Sequence, residues 1–249
     1  MGKTFEKTPG SCKDKRKSEC MKRKNGIIIA IDGPAGAGKS SVGKLVANEI
    51  GYKFISSGKM YRAIAWLCAK NSISLEDEEK VLIMAKENPI SFDNEMPEPS
   101  LIINSIKLDR ELYDEKIATA TSSVARLLKL REFLVKEQRR IGTDGGIIME
   151  GRDITTNVFP DAELKIYLDA SPQARAERRV SQLKEEGIEA DYNQILEMII
   201  KRDEQDAKRQ YNPLKRSLDS HYIDTTGITK EKTSEIIVNL FKKVIKEYR

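Results

Sequence analysis

The chain has 249 residues, 39% hydrophobic and 33% charged, enough to bury a core in one domain with embellishments and too apolar for a disordered chain. Its net charge of +5 is concentrated in residues 1–25, which hold nine Lys or Arg against three Asp or Glu and leave the remainder at −1, so the body of the chain is not a polycation seeking nucleic acid. No apolar run reaches the roughly 18–20 residues of a membrane span, and the polar N-terminus lacks a signal-peptide core, so a cytoplasmic protein is expected.

Residues 1–25, "MGKTFEKTPGSCKDKRKSECMKRKN", read as a disordered basic extension, a solvated tail in preference to a nucleic-acid or membrane tether, with no role assigned to it. Cys12, Cys20 and Cys68 have neither metal-ligand spacing nor an even count, so reduced thiols are expected. After the tail, "GIIIAID" suits a strand buried on both faces, and the glycines at 33–38 separate it from the helical pattern "KSSVGKLVANEI". "YKFISS" predicts a second strand leading into a helix, "GKMYRAIAWLCAK", with Ile64, Trp66, Leu67 and Cys68 facing the core. A helix is predicted over 75–87.

Residues 90–109 break this rhythm with short apolar pairs and turn formers such as Asn104 and Ser105, which predicts a small antiparallel insert. Helices follow over 114–125 and 128–141, then the strands "GIIME" and "LKIYLDA". Ser171 as cap with Pro172 at the first position opens a helix over 173–186. A helix from 192 to about 210, a strand "SHYIDTT" and a helix over 230–248 complete the chain. Strands alternating with helices predict an α/β fold, a mostly parallel sheet with helices on both faces and binding at the carboxyl ends of its strands, and "GPAGAGKS" between the first strand and helix makes it one of the P-loop NTPase type.

The strongest chemical signal is "GPAGAGKSS": Gly33, Pro34, Ala35, Gly36, Ala37, Gly38, Lys39, Ser40 and Ser41. It fits G-x-x-x-x-G-K-[ST] between a strand and a helix, where glycines let backbone N–H groups converge on a phosphate. Lys39 is expected at the β and γ phosphates of ATP, and the Ser40 hydroxyl on Mg²⁺. Such a loop serves GTPases, motor ATPases and small-molecule kinases alike. Arginines decide between them: Arg62, Arg131, Arg152, the cluster Arg175, Arg178 and Arg179, and Arg202 with Arg209 on a later helix all approach one sheet edge. So many guanidiniums around one phosphate loop suit transfer between two polyanions.

With "IAIDGPAGAGKSS", "SSGKMYR", "EGRDITTNVFPDA", "KRDEQDAKRQYNPL" and "IDTT" in this order, the chain from residue 26 onward resembles the bacterial cytidylate kinases, within the nucleoside monophosphate kinases. The resemblance implies a kinase domain over 26–249, with a monophosphate-binding insert at 72–124 and a lid at 175–192. It implies transfer of the γ-phosphate of ATP to CMP or dCMP; a monomer is the default expectation, with no membrane or nucleic acid required. Ser122, Arg131 and Asp153 match the positions that hold cytosine. Arg62, Arg152 and Arg209 match the clamp on the acceptor phosphate, and Ser57, Arg202 and Asp206 match positions around the sugar. Arg178 and Arg179 would lean over the ATP phosphates from the lid, while Arg175 fits that role or a solvated helix face. Cytosine agrees with its assignment: O2 and N3 accept from an arginine, and the 4-amino group donates to a carboxylate. Ser56 and Thr155 depart from the residues common at their positions, Asp and Gly. The competing readings are a kinase of another small acceptor, such as UMP or shikimate, and a nucleotide-dependent nucleic-acid-binding protein using the basic tail.

Overall fold

A computed structural model of the chain describes residues 23–247. Residues 1–22, with Cys12, Cys20 and most of the basic tail, fall outside them. In chain order the elements are β1 (Ile28–Asp32), α1 (Lys39–Ile50), β2 (Lys53–Ser56), α2 (Ser57–Lys70), α3 (Glu78–Glu87), β3 (Ile90–Phe92), β4 (Leu101–Ile103) and β5 (Ile106–Leu108). A 3₁₀ turn, Arg110–Tyr113, leads into α4 (Glu115–Val124) and α5 (Leu128–Gly142). Then come β6 (Ile147–Gly151), a π-type turn at Ile154–Val158, β7 (Leu164–Asp169), α6 (Pro172–Glu185), α7 (Tyr192–Ala207), β8 (His221–Asp224) and α8 (Lys230–Glu247).

Five strands form a parallel sheet in the order β2–β6–β1–β7–β8. Strand β1 lies in its centre and is buried at every position, as its unbroken apolar run requires. Its side chains alternate between faces. Ile29 and Ile31 pack with Val42, Phe54, Leu168 and Ile237 beneath α1 and α8, while Ile28 and Ala30 join Val135, Met149 and Phe159 beneath α5. The chain leaves β1 toward β2 and β6 on one side and later fills β7 and β8 on the other, so the strand order reverses at β1. The crevice at its carboxyl end is where such sheets bind ligands.

The expected insert is a three-stranded antiparallel sheet, β3–β4–β5, turning at Asn104 and Ser105 with φ of 49° and 62°. A separate core, including Met60, Ile64, Leu101, Leu108, Leu130 and Leu134, fills the space between it and α2, α4 and α5. Trp66 is only half-buried at this core's edge, where the Lys70 ammonium lies 4.7 Å from its ring.

Three boundaries differ from the sequence reading. Ser57 opens α2 rather than closing β2. Helix α3 starts at Glu78 because Asp77 accepts from the Lys80 N–H at 3.1 Å and caps it. Helix α7 ends at Ala207, so Arg209 stands just beyond a helix that was expected to carry it.

Candidate active site

The loop between β1 and α1 is shaped by its glycines. Gly33 has φ of 151°, and a Cβ there would sit 1.9 Å from the Leu168 carbonyl oxygen, so only glycine lets the loop press against β7. Helix α1 begins after Gly38 in a left-handed conformation, with no side chain capping its first N–H groups. Those donors, on Lys39, Ser40 and Ser41, are what a phosphate accepts from. Lys39 is buried and donates to the Pro34 carbonyl at 2.7 Å. Burial, then the nearby Arg152 charge, push its ammonium down to about 7, opposed by Glu150, Asp32 and Asp206. A buried cation with a depressed pKa gains most from a polyanionic partner.

Arg152 and Arg209 share one carboxylate. Arg152 Nε donates to Asp206 Oδ2 at 2.8 Å, and Arg209 donates to Asp206 Oδ1. Asp206 is buried; burial alone would raise its pKa, but Arg152 and Arg209 outweigh this and hold it below the usual carboxylate range. Exposed Arg202, one turn earlier on α7, feels Arg152, Asp206, Arg62 and Arg209. Arg62 donates to the Leu112 carbonyl at 2.8 Å and lies 5.4 Å from the Tyr113 ring, within reach of Glu150 and Arg179. Ser57 is buried against Gly151, where a Cβ would meet the Ser57 hydroxyl at 2.5 Å. Residues predicted from four separate motifs therefore converge on one crevice.

Asp153 and Arg131 meet in that crevice's wall. Arg131 Nη2 donates to Asp153 Oδ2 at 2.9 Å, and both residues are buried. Arg131 also donates to the Ala125 carbonyl at 3.1 Å, at the end of α4, and its guanidinium lies 5.6 Å from the Tyr61 ring. Its Nε is a buried donor without a partner among the described residues. A ligand acceptor would satisfy it. Ser122 is exposed on α4, and among the described residues it hydrogen-bonds to neither Arg131 nor Asp153.

The α6 arginines separate into three roles. Arg175 is buried at 3% exposure, which excludes the solvated helix face. It donates to the Ala170 and Ala35 carbonyls at 2.9 and 3.1 Å and to both oxygens of Asp203 at 2.9 and 2.5 Å. It thus ties the phosphate loop to α7. Arg175→Ala is expected to destabilise the protein by about 3 kcal/mol in urea unfolding, because it strips acceptors of a buried charged donor. Arg178 donates to the Thr225 hydroxyl at 3.1 Å and to its carbonyl, beside the loop's Ala37. Exposed Arg179 donates to Gln182 Oε1 at 3.0 Å.

Sequence reasoning missed four residues. Glu150, buried at the end of β6, accepts from Ser56 at 2.6 Å and from Ser40 at 3.1 Å. It stood in the quoted motif "EGRD" without a role. Asn157 donates to Asp153 Oδ2 at 3.2 Å, Asp203 anchors Arg175, and Asp32 grips the turn after Asp153. Their partners reveal them, close by in sequence for Asn157 and at least 28 residues away for the other three. Ser40 and Glu150 offer adjacent hard oxygens, a set that fits magnesium. Among the described residues no group of three or more His, Cys, Asp or Glu could cage a metal.

Comparison with known proteins adds an independent line. The family model described as cytidylate kinase matches residues 29–243. The cytidylate kinase of Clostridioides difficile is 38% identical over 218 residues, 86% of this chain and 97% of that protein. A bifunctional pantoate ligase/cytidylate kinase of Prochlorococcus marinus subsp. pastoris is 44% identical over 89% of this chain, which spans only 43% of that longer relative. Among solved structures, a shikimate kinase from Bacteroides thetaiotaomicron aligns over 87% of this chain and 98% of its own with TM-score 0.42 and 14% identity.

Proposed function

The chain belongs to the cytidylate kinase family, and from that premise we propose that it transfers the γ-phosphate of ATP to CMP or dCMP, giving ADP and CDP or dCDP. The observation that carries this is the reach of one strand exit: Arg152 lies close enough to Lys39 to lower its pKa, while the next residue, Asp153, is paired with Arg131. On this reading donor phosphate, acceptor phosphate and base meet at the end of β6.

The phosphate loop holds the triphosphate through the N–H groups of Ala35–Ser41 and the Lys39 ammonium. Arg62, Arg152 and Arg209 hold the acceptor phosphate, with Asp206 as the counter-ion that aligns two of them. Ser57, Arg202 and Asp206 border the sugar. Arg131 donates to the cytosine acceptors, Asp153 accepts from the 4-amino group, and Ser122 completes the base site from α4. Arg178 and Arg179 come over the donor phosphates as α6 and the following loop close, Arg178 exchanging Thr225 for phosphate oxygen. Arg175, already spent on Asp203, stays a brace.

Ser40 and Glu150 would hold magnesium, which would supply neutralisation of the phosphate charge. The attacking oxygen belongs to a phosphate already ionised, so no general base is needed. Catalysis consists of alignment and charge neutralisation, and closure keeps water from the transferring group.

The body over 26–249 acts as the kinase domain, with the insert at 72–124 and the lid at 175–192. Among the described residues no helix is long and apolar enough to cross a membrane. A cytoplasmic monomer that needs no nucleic acid fits this reading, and the basic tail has no part in it. The test is ADP formation from ATP and magnesium with CMP, dCMP, UMP or AMP offered singly. Turnover with CMP and dCMP well above that with UMP and AMP is expected; no CMP-dependent ADP would overturn the assignment.

A further inference from the structure

We propose that Asp32 is a positioning residue of the acceptor site, whose carboxylate fixes the turn carrying Arg152 and Asp153 relative to the phosphate loop. The proposal rests on the cytidylate-kinase reading above. Asp32 is the last residue of β1, immediately before Gly33, and it is fully buried. Its Oδ1 accepts from the Ile154 N–H at 2.9 Å, and its Oδ2 accepts from the Thr155 N–H at 2.7 Å and the Thr155 hydroxyl at 2.6 Å.

These donors are the first of the π-type turn that follows Asp153. Within that turn the Asp153 carbonyl accepts from the Asn157 and Val158 N–H groups at 2.9 and 3.1 Å, whereas the N–H groups of Ile154 and Thr155 open the turn and need an outside acceptor. Asp32 provides it from the neighbouring strand, where its Cα is paired with Gly151, one residue before Arg152. One side chain therefore joins the first residue of the donor loop to the residues directly after the base reader.

The chemistry selects a carboxylate for this place. Three converging donors require a group that only accepts, with two oxygens and no N–H of its own. Among the described residues the charge has no hydrogen-bonded cation, and burial raises its pKa to about 6 against the pull of the three hydrogen bonds, with the Asp153 charge adding to the rise. A carboxylate buried without a hydrogen-bonded cation is costly, and what it secures is the direction of the two residues proposed to hold the substrate.

Asp32→Asn keeps the shape but points an amide donor at one of the three donors. Purified and shown folded by thermal melting, it is expected to lose about 10²-fold in kcat/KM for CMP, the scale of an ångström-sized misplacement. The CMP to UMP ratio of kcat/KM should fall several-fold while KM for ATP stays within about twofold, a split that general loosening of the fold does not give. An unchanged CMP to UMP ratio, or equal rises in KM for ATP and CMP, overturns the proposal. If Asp32→Asn does not fold, Thr155→Val takes its place: it removes only the hydroxyl contact, and the ratio should fall about threefold and return in Thr155→Ser, as loss of a single hydrogen bond implies. No change in Thr155→Val then overturns the proposal. Wild-type protein assayed in parallel separates the two readings, since failure of wild type to use CMP removes the kinase assignment itself.

Discussion

Lys39→Ala is expected to lower kcat at least about 10³-fold with CMP, dCMP and every other acceptor, the scale set by removing a donor that meets charge developing in the transition state. Lys39 is the cation embedded in the loop itself, buried and held 2.7 Å from the Pro34 carbonyl, so its ammonium is placed before substrate arrives. The loss should fall on kcat, because the uncapped N–H groups at the start of α1 remain to bind the triphosphate. It should not come from unfolding. Burial already drives the Lys39 pKa down to about 7, so the folded protein holds this charge against its preference, and alanine relieves that cost. Single-turnover kinetics beside a thermal melt make the check: a Tm at or above wild type with a collapsed rate is the expected pair. A rate within tenfold of wild type would remove Lys39 from the chemistry.

Asp153→Asn should have the second large effect, and a different one. A site built to hydrogen-bond one base can reject another by about 10⁴–10⁵, because the wrong base leaves buried polar groups unpaired. Asp153 accepts only, so it suits the 4-amino group of cytosine and repels the 4-carbonyl of uracil. Asparagine presents a donor as well, and the CMP to UMP ratio of kcat/KM should fall by about 10²-fold or more, with most of the loss on CMP. Alanine is the poorer probe. It would leave the buried Arg131 guanidinium without its 2.9 Å partner, and breaking a buried ion pair costs about 3–5 kcal/mol, which mixes specificity with stability. Asparagine keeps an acceptor for Arg131. Equal losses with every acceptor would show that Asp153 supports the pocket without reading the base.

The phosphate loop was legible because its chemistry is local: glycines, lysine and serine act within nine consecutive residues. The sheet was legible for a similar reason, since "GIIIAID" announces burial on both faces and "GIIME" and "LKIYLDA" are short apolar runs between helical patterns. Arg131 and Asp153 stand 22 residues apart in sequence, and no spacing joins them; family resemblance did. Asp32 and Glu150 stayed silent because a lone carboxylate at a strand end has no meaning until its partners, more than 90 residues away, are known. Arg175 was misjudged for a related reason. Its own helix is polar on most sides, and its burial is decided by α7 and the phosphate loop, which enclose it.

The pairing of β1 with β6 has one more consequence. Asp32 lies opposite Gly151, so the segments proposed to hold donor and acceptor leave the sheet side by side, at the spacing of about 4.8 Å that backbone hydrogen bonds impose on neighbouring strands. The sheet thus serves as a ruler: the separation of the two loop origins is inherited from main-chain geometry, common to every residue type. Substitutions around the rim can then retune which molecule enters while the strand spacing stays fixed, and a single insertion in either strand end would shift the scale itself.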